Sequence, residues 1–189
     1  MKASSIAGVP RKTIAFIIIT VACVVALAVA APSTSMARDR DAEKNAKIVR
    51  EFVEKVYNEG RLDLIETYIA EDFVDSSPGA PPDASGPAFV RKQAEETFAI
   101  FPNLKFANED VIADGDRVVV RWSSTSTFSG KMGEIAGDGR PVRVDGISIM
   151  RVKDGKIVQS WDIVDRMGMF TQMGFTVTPP KAPEAAPQE

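Results

Sequence analysis

Beyond residue 104 apolar and polar side chains alternate with a period close to two, and four β-rich runs stand out at 104–113, 117–128, 142–152 and 156–164. Asp114-Gly115, a glycine-rich stretch at 129–141 and Asp154-Gly155 separate them. Asp-Gly predicts a tight hairpin, because glycine accepts the positive φ that a turn between twisted strands requires. The expectation is an antiparallel meander. Upstream the period is longer. Residues 41–58 carry Ile48, Phe52, Val56 and Tyr57 at three- to four-residue spacing, and Asn58-Glu59-Gly60 supplies a stop. A short helix is expected at 62–70, with Leu62, Ile65 and Ile69 on one face. Phe73-Val74 then leads into a Pro- and Gly-rich loop at 76–87. A third helix is expected at 88–100, with Phe89, Val90, Ala94, Thr97 and Phe98 inward and Pro102 beyond its end. Residues 166–174 predict a closing helix with Met167, Met169, Phe170 and Met173 as packing residues. Helices followed by hairpin-linked strands indicate an α+β domain whose helices cover one face of a curved sheet.

The two ends of the chain lie outside this pattern. Lys2, Arg11 and Lys12 precede an apolar run at 14–31 that only Thr20 interrupts, the order of a secretory signal. Small residues at Ala28-Val29-Ala30 and at Ser35-Met36-Ala37 fit a signal peptidase, and the second is preferred because charge begins at Arg38. The run is also close to the roughly 20 residues that span a bilayer, so an uncleaved anchor is the alternative. Residues 1–37 are therefore read as a signal peptide or membrane anchor, 38–175 as the domain, and 176–189, rich in proline and alanine, as a disordered tail. An exported domain is expected, periplasmic, secreted or anchored outside the cytoplasm, with the membrane touched only through the N-terminal segment.

Composition narrows the chemistry. The chain of 189 residues has 26 acidic against 23 basic side chains, and three of the basic ones fall in the N-terminal segment. That acidity argues against nucleic acid as a partner, which needs clustered Lys and Arg. Histidine is absent and Cys23 is the only cysteine, so a disulfide, a cysteine-based zinc site and thiol catalysis are all unexpected. Acid-base work falls to aspartate, glutamate or tyrosine, with no metal or cofactor expected.

The best catalytic candidate lies on the last strand. Alternation from Ile157 puts Val158, Ser160, Asp162 and Val164 on one face and Gln159, Trp161, Ile163 and Asp165 on the other. Asp162 and Asp165 point opposite ways, and a carboxylate that faces an interior loses hydration and binds its proton more tightly. Trp122 is a candidate pocket-wall aromatic. Asp145, in Val144-Asp145-Gly146, is a candidate for entering the pocket or for the wet face.

Taken in order, Val56-Tyr57-Asn58-Glu59-Gly60, Asp72-Phe73-Val74-Asp75, Phe101-Pro102-Asn103-Leu104, Arg117-Val118-Val119-Val120-Arg121-Trp122 and Asp154-Gly155-Lys156-Ile157 through Trp161-Asp162 resemble the SnoaL-like polyketide cyclase (ester cyclase) family over roughly residues 42–175. The resemblance implies the NTF2-like cone, a curved antiparallel sheet wrapped by three to four helices around an apolar pocket, and often a homodimer. It also implies a cofactor-free intramolecular aldol reaction in which an aspartate on the late strand moves protons. Asp162 matches that aspartate. Enolisation needs a carboxylate base near the C–H, donors for the developing oxyanion and little water. In ketosteroid isomerase an aspartate base works beside a tyrosine donor, and Tyr57 is the corresponding candidate here. Where many members carry histidines this chain has Ser76, which can donate a hydrogen bond, and Phe128, which can only shape the pocket. Two functional readings follow. One is a cyclase or isomerase acting on a small carbonyl compound through Asp162. The other is a non-catalytic module that binds an apolar small molecule or a protein in the same pocket.

Overall fold

The computed structural model describes residues 33–176 and 178. Two compact units divide the chain, 1–40 and 41–189, and the second holds all that follows except the opening of helix α1. The apolar run at 14–31, Cys23 and most of the proline-rich tail lie outside the described residues. Among the described residues no helix is long and apolar enough to cross a membrane.

Helix α1 (Ser33–Phe52) continues into a π-helical turn at Val53–Asn58, where the backbone N–H of Glu59 reaches back five residues to the Glu54 carbonyl at 2.9 Å. The wider turn rotates the apolar stripe, so Val53 and Val56 are both buried beside Val49 and Phe52. Asn58 then fastens the turn to the sheet edge: its side chain accepts from the Phe106 N–H at 2.7 Å and donates to the Phe106 carbonyl at 3.0 Å. A 3-10 turn (Leu62–Leu64) and one turn of helix α2 (Ile65–Tyr68) follow.

Strand β1 (Ile69–Asp75) stands where the sequence pattern predicted the end of a helix and the start of a loop. It pairs in parallel with the last strand, nearly ninety positions later, so no hairpin turn marks it in the sequence. Helix α3 (Gly86–Ile100) begins two residues before its expected start, with Pro87 in its first turn. Strands β2 (Lys105–Asp114) and β3 (Arg117–Phe128) form the first hairpin. A small hairpin, β4 (Lys131–Met132) and β5 (Ile135–Ala136), occupies the glycine-rich stretch. Strands β6 (Arg140–Lys153) and β7 (Lys156–Val164) form the last hairpin, and helix α4 (Arg166–Gln172) closes the domain. The main sheet has the order β1-β7-β6-β3-β2 and is antiparallel except at β1. Asp154 and Gly155 both take positive φ, 50° and 80°, as a two-residue turn requires. The result is the expected α+β fold, a curved open sheet with helices over its concave face.

Two apolar clusters fill that face. One joins Val49, Phe52, Val56, Ile65 and Ile69 to Val118, Val120, Met150 and Ile157. The other gathers Phe101, Leu104, Phe128, Val142, Val144 and Met173, and Phe106 and Trp122 pack against both.

Candidate active site

Strand β7 carries a bulge that decides which side chains face inward. The pairing of β6 with β7 slips between Arg151 opposite Gln159 and Val152 opposite Ile157, which leaves Val158 as an extra residue. Strict alternation would put Ile157 on the face opposite Asp162. With the extra residue, Ile157, Ser160, Asp162 and Val164 all line one cavity. Ile157 completes the core while Asp162 faces the interior.

That cavity encloses about 340 Å³ and is walled mainly by carbon, including Phe52, Phe73, Phe89, Phe106, Trp122 and Met150. Next to it lies a polar chamber of about 290 Å³, bordered by Ser77, the Gly79-Ala80-Pro81 loop and Arg166. Asp75, Phe89, Gln93 and Asp162 border both. Asp162 thus stands where an apolar chamber meets a polar one.

Its hydrogen bonds are directional. The Trp122 Nε1–H donates to Ser148 Oγ at 2.9 Å. An indole nitrogen cannot accept, so the single hydroxyl hydrogen of Ser148 goes to its other neighbour, Asp162 Oδ1. On the second oxygen, Ser77 Oγ accepts from the Asp162 backbone N–H at 2.9 Å and donates to Oδ2 at 3.3 Å. Both carboxylate oxygens therefore receive hydrogen bonds, the arrangement that suits a base. Burial pushes the Asp162 carboxyl above the usual carboxylate range and the Asp75 carboxylate adds to the effect, whereas the bonds from Ser148, Ser160 and Ser77 oppose it.

Gly146 makes this relay possible. It faces Trp122 across β3 and β6, and a Cβ on it would lie 2.3 Å from the indole ring. Only glycine lets the ring lie flat against β6 with its nitrogen beside Ser148.

Tyr57 also lines the cavity, its ring packed edge-on against Phe52, Phe98 and Phe106. Burial pushes its hydroxyl above the usual phenol range, and the Asp162 and Asp75 carboxylates add to the shift, so it remains a proton-bearing donor. Among the described residues that hydroxyl has no hydrogen-bond partner.

The other residues singled out from the sequence are placed differently. Trp122 is in the wall and in the relay. Ser76 accepts a hydrogen bond from Gln159 Nε2 at 2.9 Å and does not line the cavity; its neighbour Ser77 does the bonding to Asp162. Phe128, 1% exposed, packs in the second apolar cluster and does not line the cavity. Asp145 lies on the outer face of β6, paired with Arg143 at 3.0 Å, because inward positions there are Val144, Gly146 and Ser148. Asp165 caps α4 through the Gly168 N–H.

A family model for SnoaL-like polyketide cyclases matches residues 47–173, two thirds of the chain, from the last turns of α1 through α4. The chain belongs to the SnoaL-like polyketide cyclase family. Its structural relatives include IdmH from Streptomyces antibioticus, at 27% identity and TM-score 0.62, covering 69% of this chain and 99% of that one. AclR from Streptomyces galilaeus is 24% identical with TM-score 0.65, covering 74% and 91%. A SnoaL-like polyketide cyclase from Agrobacterium tumefaciens is 20% identical with TM-score 0.56, covering 67% and 95%. No curated protein matches. Within this SnoaL-like domain the residues that sequence reasoning passed over are Ser77, Ser148 and Gly146. Serine carries no periodic signal, and the role of Gly146 depends on an indole 24 positions away.

Proposed function

We propose that this SnoaL-like domain catalyses cofactor-free proton transfer, an aldol cyclisation or isomerisation, on a small apolar carbonyl compound with Asp162 as base. The observation that carries this reading is the position of Asp162, which is half-buried at the threshold of an apolar cavity and holds a hydrogen bond on each oxygen. In the proposed reaction Asp162 takes a proton from the carbon next to a carbonyl, and the enolate oxygen accepts a hydrogen bond from Tyr57. The enolate carbon then adds to a second carbonyl carbon of the same molecule. The alkoxide so formed recovers the proton from Asp162, so atoms balance and nothing is oxidised or reduced. In a β,γ-unsaturated substrate without the second carbonyl, the same step gives a dienolate, and return of the proton from Asp162 to its γ carbon moves the double bond into conjugation, an isomerisation. Positioned acid-base groups of this kind contribute about 10²–10⁴-fold.

The order of basic and apolar residues in 1–37 supports the further proposal that the domain works outside the cytoplasm. Cell fractionation tests it: recovery of the full-length chain from the cytosol contradicts it.

Native mass spectrometry of wild type and Asp162→Asn after exposure to extracts of the producing cells tests the reaction. Wild type should release a cyclised or isomerised compound while the variant retains the unaltered one. If both hold the same unchanged molecule, the domain is a binding module.

A further inference from the structure

The polar chamber beside Asp162 is bordered by donors that the folded chain leaves unused. Arg166, the first residue of α4, shares this chamber with Asp75 and Asp162. It nonetheless makes no hydrogen bond or ion pair among the described residues, with either carboxylate or with any other group. Gln93 borders both chambers. Phe89, Gln93 and Thr97 recur every four residues along α3 and all line the apolar cavity, so Gln93 stands on the helix face turned to it. Thr97 donates to the backbone carbonyl of Gln93 at 2.7 Å, and the Gln93 side-chain amide has no partner among the described residues.

A guanidinium carries donors and no acceptor, so its natural guest is an oxygen with free lone pairs. A ligand that arrives with a full negative charge is repelled by the two carboxylates on the same walls, whereas a neutral carbonyl oxygen is not. An alkoxide formed from that carbonyl within the site is a different case. In the proposed reaction its charge originates on Asp162, which has by then taken a proton, so the sum of charges at the site stays constant. Donors already in place where such charge develops stabilise it without reorganisation. Tyr57 meets that need for the first carbonyl, and the second carbonyl has the same need.

We infer that the polar chamber holds the second carbonyl of the substrate, with Arg166 and Gln93 donating to its oxygen. The ligand lies across the threshold, its apolar part and first carbonyl on the Tyr57 side and its second carbonyl on the Arg166 side. As the enolate carbon bonds to the second carbonyl carbon, the π pair of that carbonyl moves onto its oxygen. Arg166 and Gln93 hold the alkoxide until the proton on Asp162 reaches it. The arrangement selects dicarbonyl substrates and favours ring closure over isomerisation. The inference rests on the proposed role of Asp162 as base.

Two ketones that differ by one carbonyl test it, 1-phenylheptane-1,6-dione and 1-phenylheptan-1-one. Arg166 is exposed and has no partner among the described residues, so Arg166→Met should melt at the wild-type temperature. By calorimetric titration this variant should bind the dione roughly tenfold more weakly than wild type and the monoketone equally well, the loss of one charge-assisted hydrogen bond at an exposed position. Gln93→Met should weaken the dione by about fivefold, the effect of a neutral bond. In D₂O, wild type should label the carbon next to the benzoyl carbonyl of both ketones and close the dione to a cyclopentanol. In Arg166→Met labelling should persist while closure falls about a hundredfold. A dione no more sensitive than the monoketone to the loss of Arg166, labelling and closure that fall together, or an Arg166→Met that melts well below wild type overturns the inference. Asp162→Asn should lose labelling yet bind the dione as wild type does. A wild type that labels neither ketone but binds the dione through Arg166 refutes Asp162 as base and not the Arg166 contact.

Discussion

Replacing Ser148 by alanine isolates the most consequential contact in the site. The substitution removes the hydroxyl that accepts from Trp122 and donates to Asp162, and the cavity it leaves is smaller than a methyl group. A hydrogen bond to a charged acceptor contributes about 1.5–3 kcal/mol, and leaving the indole N–H unpaired costs about 1–3 kcal/mol more. These are not fully additive, so the expected loss of stability with Asp162 ionised is about 2–4 kcal/mol. With Asp162 protonated the charge-assisted part disappears, and the loss falls to about 1–2 kcal/mol. The direction with pH follows from linkage. Burial already holds the Asp162 carboxyl above its unfolded value, so the folded chain binds the extra proton, and stability from this group declines as pH rises through that window. The alanine variant loses a bond that favoured the charged form; the difference of about 1–2 kcal/mol between the two penalties strengthens proton binding by roughly five- to thirtyfold and extends the window upward. Urea unfolding of both proteins at about pH 4 and about pH 8 reads the difference, and the carboxyl carbon resonance of Asp162 reads the titration directly. An equal penalty at the two pH values, or an Asp162 that titrates no higher in the variant, refutes the relay.

Other expectations follow from the same geometry. Asp162→Asn keeps the shape and the ligand but loses the base, so turnover should fall about 10²–10⁴-fold with binding by titration nearly unchanged. Gly146→Ala drives a methyl group into the Trp122 ring; a loss of about 1–3 kcal/mol in urea and a shifted tryptophan emission are expected, with an unchanged spectrum as the contrary result. Tyr57→Phe retains the ring packing and removes only the donor, so kcat should drop while stability stays within about 1 kcal/mol of wild type. For the wild type, the Asp162 contribution to stability should be greatest below the ordinary carboxylate range and smaller at neutral pH, which acid and neutral unfolding midpoints measure.

Much of the fold was legible because its signals are local. Asp154-Gly155 marks a two-residue turn by chemistry alone, and alternation in 117–128 and 159–164 assigns faces without knowledge of partners. Strand β1 was not, since its partner in the sheet is β7 and a parallel pair leaves no turn between its strands. The bulge at Val158 was hidden for a related reason: one extra residue appears only when the opposing strand is known. Asp162 and Tyr57 could be singled out as titratable groups on strand and helix faces, and both line the cavity. Ser77, by contrast, reaches Asp162 because the loop after β1 closes on itself, with the Asp75 N–H bonded to the Ala84 carbonyl at 2.9 Å. Neighbouring Ser76 and Ser77 are indistinguishable until that closure is seen. Phe128 drew attention through family resemblance at its position, yet the register of β3 against β6 carries it into the second apolar cluster and not into the cavity lining.

The most direct test of the central claim is solvent deuterium incorporation. The ligand recovered from cell extracts on the purified domain is incubated in D₂O with wild type or Asp162→Asn, with no cofactor added, and analysed by NMR and mass. The account predicts deuterium at the carbon next to the carbonyl with wild type and none above background with the variant. Equal labelling by both proteins, or none by either, contradicts Asp162 as the proton-transferring base.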